Sequence, residues 1–301
     1  MPDKPSAEFE IREPLVRSLV SSQAASIPDA ASLPLAHAAD GWDCSVWRLG
    51  DRFAVRLPRR ALAAPLVLHE QQVLSGISAR LAATGIGVPA PIVSGRPGFG
   101  YPWSWSVVPW FDGLSGLATP RADRTGWATS LAQALLALHA VAPPTFPVNP
   151  VRGVPLAQRA EAVAGRFESL RGRADHDALA RLHRLWDAAI EAPPWAHSPV
   201  WIHGDLHPGN LVARGSDLVA IIDFGDVTAG DPAYDLAVAW LAFDAAGRES
   251  FLGAVGDRYD AATWTRAHGW AASVTLMLLD QSDDNPEYAA IGTEALGELA
   301  R

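Results

Sequence analysis

The spacing of hydrophobic and polar positions changes partway along the chain. Within residues 8–24, Ile11, Leu15 and Leu19 recur every four positions with Pro14 near the first turn, which predicts a helix. Ser45–Leu49 and Phe53–Leu57 are short runs rich in Val, Trp and Phe, parted by the turn-forming Gly50-Asp51, and predict two strands. Leu66, Leu74, Ile77 and Leu81 mark one side of a helix over 62–83. Prolines bar a helix from Val88-Pro-Ala-Pro-Ile-Val93, so that segment is extended, and a further strand over Trp103–Trp110 ends at Phe111-Asp112-Gly113.

From about residue 120 the helical period dominates. Leu131, Leu135 and Leu138 form a stripe that Pro143-Pro144 stops, and 155–170 and 175–191 are further helices. Val200–His203 is a short strand, and Leu211–Ala213 and Leu218–Asp223 bracket the turn Arg214-Gly215-Ser216-Asp217 as a hairpin. Asp231-Pro232 opens one of the helices that fill the remainder. The parse is α+β, with a strand-rich lobe over 1–110, a hinge near 109–113 and a helical lobe over 111–301, and a ligand crevice expected between the lobes.

Composition narrows the function. Basic residues number 24 against 33 acidic ones, a formal charge of −9, which argues against a general nucleic-acid binder. The apolar run Trp270–Leu279 is far short of the roughly 20 residues of a membrane span. The start MPDKPSAEFEIRE lacks the layout of a secretory signal, so the expected location is cytoplasmic. Cys44 is the single cysteine, which excludes intrachain disulfides and multi-cysteine metal sites. Lys4 is the only lysine among the basic residues, so a buried lysine is not at hand for chemistry.

The informative segment is His203-Gly-Asp-Leu-His-Pro-Gly-Asn210, followed by Ile222-Asp-Phe-Gly225. It sets a carboxylate at 205, an amide at 210 and a second carboxylate at 223 on the far arm of a hairpin, which returns Asp223 toward Asn210 and Asp205. Hard oxygen donors of this kind suit Mg²⁺ carried on a phosphate better than zinc, and leave Asp205 to accept a hydrogen bond from an attacking hydroxyl. A competing reading takes His203, Asp205 and His207 as a zinc cluster, although Gly204, Pro208 and Gly209 favour a loop over a strand there. A plain surface loop explains any one of these residues, but not an amide and a second carboxylate spaced to converge.

His-Gly-Asp-x-x-x-x-Asn with Ile-Asp-Phe-Gly downstream resembles the catalytic and metal segments of the aminoglycoside phosphotransferase family, small-molecule kinases of protein-kinase-like fold that include macrolide kinases. Gly41–Leu49 resembles the nucleotide-covering loop of that family, Phe53–Arg60 its third strand, Pro102–Gly113 its interlobe hinge and Gly230–Leu236 the start of the helix after the metal segment. The resemblance implies a bilobal kinase-like fold and a Mg²⁺-dependent transfer from ATP or GTP to a hydroxyl of a small molecule, with aminoglycoside, macrolide and peptide antibiotics among the acceptors to consider. It makes Asp205 the catalytic carboxylate, Asn210 and Asp223 the metal ligands, His203 a structural residue and Asp235 a brace for the catalytic loop. It also assigns Ser45, Arg56, Glu70, Trp110 and Phe111 to the nucleotide, with the purine on main-chain groups near Trp110 and Phe111. The family lysine on the third strand is here Arg56, paired with Glu70. Arginine keeps the charge but is not interchangeable with lysine, so a metabolic kinase or a catalytically silent nucleotide binder are the alternatives. Arg59 and Arg60 are expected to face solvent. Asp280, Asp283, Asp284 and Glu287 form either a polycation-binding cluster or a solvated helix end, and Trp240, Phe243, Trp264 and Trp270 either an apolar pocket or core.

Overall fold

The computed structural model describes residues 5–282 and 285–300. Lys4, Asp283 and Asp284 lie outside them. The chain divides into two compact units: residues up to Ala82 together with Gly87–Asp112, and Ala83–Ile86 together with the chain from Gly113 onward.

The first unit is built on a sheet. Helix α1 (Glu13–Gln23) precedes strands β1 (Leu35–Asp40), β2 (Cys44–Leu49) and β3 (Phe53–Pro58), then helix α2 (Ala64–Leu81) and strands β4 (Val93–Gly95) and β5 (Trp105–Pro109). The strands are ordered β1-β2-β3-β5-β4, all neighbours antiparallel. Alternation sorts β3 cleanly: Val55 and Leu57 join the core beneath α1, with Val16, Leu19, Trp47, Trp105 and Val107, while Arg56 faces the other way. Gly95 is required where it stands, because a Cβ there would lie 2.1 Å from the Trp105 ring.

Two expectations change. The first helix begins at Glu13, not at 8, because proline is tolerated only in a first turn and Pro14 fixes where that turn lies; Phe9 and Ile11 pack on the core from an irregular segment. Strand β1 gives no sequence signal: its residues LAHAAD are small and almost all exposed, and it forms by pairing with β2 across an irregular register at His37/Ala39.

The second unit is mostly helical, with strand β6 (Leu114–Ser115), helices α3 (Ala128–Leu138), α4 (Ala160–Leu170) and α5 (His176–Glu191), and strands β7 (Val200–Ile202), β8 (Leu211–Arg214), β9 (Asp217–Ile221) and β10 (Thr228–Gly230). Helices α6 (Ala233–Leu236), α7 (Val238–Ala242), α8 (Ala245–Val255), α9 (Ala261–Gln281) and α10 (Pro286–Leu299) follow. Side-chain caps start four of the helices: Asp175 accepts from Ala178 N at 2.8 Å, Asp244 from Gly247 N at 2.9 Å, Asp260 from Thr263 N at 2.7 Å and Asn285 from Tyr288 N at 3.4 Å. α9 packs on α5 and α10, and Gly269 lets α5 approach closely, since a Cβ would sit 2.2 Å from that of Ala189. Trp240, Phe243 and Trp270 are buried core, which settles the choice between pocket and core for these three rings. Among the described residues no helix is long and apolar enough to cross a membrane.

Candidate active site

In the sheet unit, β3 and α2 together make a charge pair. Arg56 Nη1 donates to Glu70 Oε1 at 2.6 Å, with side chains 12% and 3% exposed. Position 56 follows from strand alternation, and 70 from the α2 face that also buries Val67, Leu74 and Ile77. A buried guanidinium matched to a buried carboxylate keeps both charged, because either alone would be costly to desolvate.

The loop Gly41–Asp43 is closed by arginines expected in solvent. Arg59 Nη1 donates to the Gly41 carbonyl at 2.9 Å, and Arg60 Nη2 donates to Asp43 Oδ1 at 2.6 Å, both side chains being 13% exposed. They face inward because the loop offers a carbonyl and a carboxylate that their planar donor groups can satisfy. Ser45 is not in that loop. It lies in β2, opposite Leu57, and is buried, its hydroxyl accepting from Trp47 Nε1 at 3.1 Å. That hydroxyl lies within the sheet and keeps an O–H to donate. At the end of β5, the Trp110 amide donates to the Arg52 carbonyl at 2.8 Å. It continues the strand pairing, and Phe111 follows it in the chain.

In the second unit, β7 delivers the His203–Asn210 segment. Asp235 fixes its start from α6: Oδ2 accepts from His203 N at 2.7 Å and Oδ1 from Gly204 N at 3.0 Å, while His139 Nε2 lies 3.2 Å from Oδ2. His203 is buried, its Nδ1 accepting from Asp205 N at 3.1 Å and its Nε2 donating to the Ile222 carbonyl at 2.9 Å. Both ring nitrogens are thus occupied by backbone, and His203 is a structural residue. Gly204 has φ +83°, and a Cβ there would approach the Asp226 carbonyl to 2.4 Å.

Asn210 closes the turn. Its Nδ2 donates to the Asp205 carbonyl at 2.8 Å, and its own carbonyl accepts from Ile222 N at 2.9 Å, which sets Asp223 next in chain after a residue bonded to Asn210. Asp223 holds φ +60°, a strained conformation for a non-glycine residue and one found at functional sites. Locking the amide nitrogen leaves Asn210 Oδ1 as the group able to meet a metal. One amide oxygen and one carboxylate fit Mg²⁺, which takes few protein ligands and keeps water and phosphate oxygens. Among the described residues no three His, Cys, Asp or Glu side chains converge as a cage.

Asp205 is 29% exposed and lies beside the guanidinium of Arg152 and the ring of His207. Arg152 Nη2 donates to its Oδ1 at 3.2 Å, and His207 Nε2 lies 3.6 Å from its Oδ2. Burial alone would raise this carboxyl, but His207 and Arg152 outweigh it and hold Asp205 below the ordinary carboxylate range. Asp226 moves the other way, raised by burial and by Asp205 against the pull of Arg152. Tyr288 meets the His207 ring edge to face at 5.2 Å, its hydroxyl pushed up to about 12 by burial and by Asp205, Asp223 and Glu287.

Arg152, Asp226 and Tyr288 escape sequence reading. Arg152 lies in an irregular segment whose only cue is a loss of helical period among prolines. Asp226 stands one residue past the Ile-Asp-Phe-Gly motif, and Tyr288 arrives from α10.

Residues 35–270 match the model of the phosphotransferase enzyme family, and the chain belongs to that family. Over 204 residues it is 30% identical to the homoserine kinase of Methylobacterium nodulans, covering 58% of this chain and 57% of that relative, so it spans little more than half the relative's length. Among solved structures it resembles aminoglycoside 2'-phosphotransferase-IIIa in complex with GDP, at 18% identity and TM-score 0.67 over 96% of this chain and 99% of that one. The macrolide 2'-phosphotransferase of Brachybacterium faecium aligns at 20% identity and TM-score 0.61 over 94% and 97% of the two chains. At such identities these likenesses establish the α+β fold of these kinases.

Proposed function

We propose that the protein is a Mg²⁺-dependent O-phosphotransferase that moves the terminal phosphoryl group of ATP or GTP to a hydroxyl of a small molecule. The carrying observation is Asp205, hydrogen-bonded by Arg152, beside an Asn210 whose amide nitrogen is locked and whose Oδ1 is left to a metal. Asn210 and Asp223 would hold magnesium, which when bound neutralises charge on the phosphates. Asp205 orients the acceptor O–H and takes its proton as the oxygen–phosphorus bond forms and the bond to the bridging oxygen of the nucleotide breaks, releasing ADP or GDP. Arg56, held by Glu70, supplies the cation for the nucleotide phosphates in place of lysine. Phosphoryl transfer asks mainly for position and charge neutralisation, so a guanidinium that keeps its charge suffices.

The antibiotic kinases among the structural relatives favour an antibiotic acceptor. The homoserine kinase similarity favours a second reading, a metabolic kinase acting on a small hydroxyl compound. The test is Mg²⁺-dependent ADP and GDP release against aminoglycosides, macrolides, peptide antibiotics and homoserine, with wild type and Asp205→Ala side by side. Acceptor-stimulated release that disappears in Asp205→Ala is the expected result; release that survives in the variant refutes the role given to Asp205.

A further inference from the structure

Residues 147–153 form no helix or strand, yet their side chains sort sharply. Pro147, Val148, Pro150 and Val151 are exposed, while Asn149 and Arg152 are half-buried. Asn149 makes the turn: its Oδ1 accepts from Val151 N at 2.9 Å and Arg152 N at 3.0 Å, and its carbonyl accepts from Gly153 N at 3.0 Å. The turn is stitched to the chain just past the Ile-Asp-Phe-Gly motif. Asn149 N donates to Thr228 Oγ1 at 2.9 Å, and Asn149 Nδ2 to Asp226 Oδ1 at 2.7 Å. Gly153 permits the close approach, because a Cβ there would lie 2.9 Å from the Ala229 carbonyl oxygen.

This turn delivers Arg152 to Asp205. Nη2 donates to Asp205 Oδ1 at 3.2 Å and Nη1 to the Tyr234 hydroxyl at 2.6 Å, while Nε lies 3.7 Å from Asp226 Oδ2. Asp226 thus holds both the turn, through Asn149, and the guanidinium that the turn presents. With two carboxylates beside it the charge of Arg152 is matched, and what its contacts fix is orientation. A planar guanidinium gripped on three sides has little freedom to rotate, and through Nη2 it sets the plane of the Asp205 carboxylate.

The two oxygens of Asp205 are therefore unlike. Oδ1 carries the hydrogen bond from Arg152. Among the described residues Oδ2 has only long approaches, from Asn210 Nδ2 at 3.5 Å and His207 Nε2 at 3.6 Å, and that amide nitrogen already donates to the Asp205 carbonyl at 2.8 Å. We propose that Arg152 is a positioning residue: by holding Oδ1 it turns Oδ2 to the acceptor, so that the hydroxyl proton passes to Oδ2 as the hydroxyl oxygen bonds to phosphorus. The inference rests on the phosphotransferase reading of Asp205.

The test measures Mg²⁺-dependent ADP and GDP release by the full chain with water, kanamycin, erythromycin or homoserine as the acceptor. Arg152→Ala is expected to lower kcat about 10²-fold, the scale of a reacting group misplaced by about an ångström, with the nucleotide KM within about twofold. Ethylguanidinium replaces the part of the side chain that alanine lacks, and is expected to raise kcat of that variant about tenfold where sodium chloride does not. Arg152→Lys, which keeps one donor for Oδ1, should fall between wild type and Arg152→Ala. Because Arg152 acts through Asp205, adding Arg152→Ala to Asp205→Asn should cost less than about twofold more. Arg152→Gln, closer in volume, carries the same expectations should the alanine variant fail to fold. An unchanged kcat, a loss confined to nucleotide KM, no response to ethylguanidinium, or a full further loss on top of Asp205→Asn would each overturn the role of Arg152 and leave the kinase reading standing. Release that is absent with every acceptor, water included, or that survives Asp205→Ala, overturns the kinase reading and the role of Arg152 with it.

Discussion

The two units hold their candidate residues by different means. In the sheet unit, Arg56 and Glu70, the pair proposed for the nucleotide phosphates, are also part of the packing, buried between β3 and α2 and paired with each other. In the helical unit the labour is divided. Asp235, fully buried, and His203 hold the backbone of the loop, while Asp205 stays partly exposed with its carboxylate turned to Arg152 and His207. A residue that is at once support and reagent ties activity to stability; a reagent carried on a separate brace is free to change without unfolding its surroundings.

The sharpest test of this contrast is Asp205→Asn. Loss of the proton acceptor is expected to lower kcat by about 10²–10⁴-fold. Thermal unfolding should move far less than for Arg56→Gln, and equal destabilisation by the two would erase the contrast.

Arg56→Gln leaves Glu70 buried without its cation, which costs about 3–5 kcal/mol of stability. Loss of nucleotide-dependent activity is expected in the same variant. Denaturant titration and nucleotide kinetics measured together check the coupling, and full stability with lost activity would show that the pair is not part of the packing.

A pH scan separates the units in another way. His268 in α9 stacks on Trp240 at 3.8 Å, and burial, then Arg248, lower it from its ordinary 6.5 to about 4. Above pH 6.5 the ring is neutral in both folded and unfolded chains. As pH falls from 6.5 toward 4, only the unfolded chain takes up the proton, so stability is lost across that window, by up to about 3 kcal/mol. Unfolding curves of wild type and His268→Gln should converge toward pH 4; an unchanged pH slope in the variant would reassign the effect.

Gly95→Ala carries the smallest expected effect. The new Cβ would overlap the Trp105 ring, and the required shift in the sheet core costs about 1–3 kcal/mol. Loss of stability with Asp205-dependent turnover retained, read by calorimetry and ADP release, would separate sheet packing from the chemistry of the helical unit.

Much of this protein is legible in its residues alone. The change from strand to helical period and the hairpin after Asn210 follow from local periodicity and short-range spacing, which depend on near neighbours in the chain, while the Arg56–Glu70 pairing is what the family resemblance implies and the structure shows. The Asp205, Asn210 and Asp223 motif belongs with these, because a hairpin brings its two ends together without help from elsewhere. Tertiary structure alone decided the rest. Strand β1 exists because β2 offers it partners, Arg59 and Arg60 turn inward because the Gly41–Asp43 loop needs donors, and Ser45 and Trp110 are engaged by the sheet. Arg152, 53 residues before Asp205, meets that carboxylate only after the helical unit has packed, and Tyr288 reaches His207 from α10. Charges that meet across such separations leave no period in the sequence, since their partners are chosen by packing and by the cost of leaving a buried charge alone.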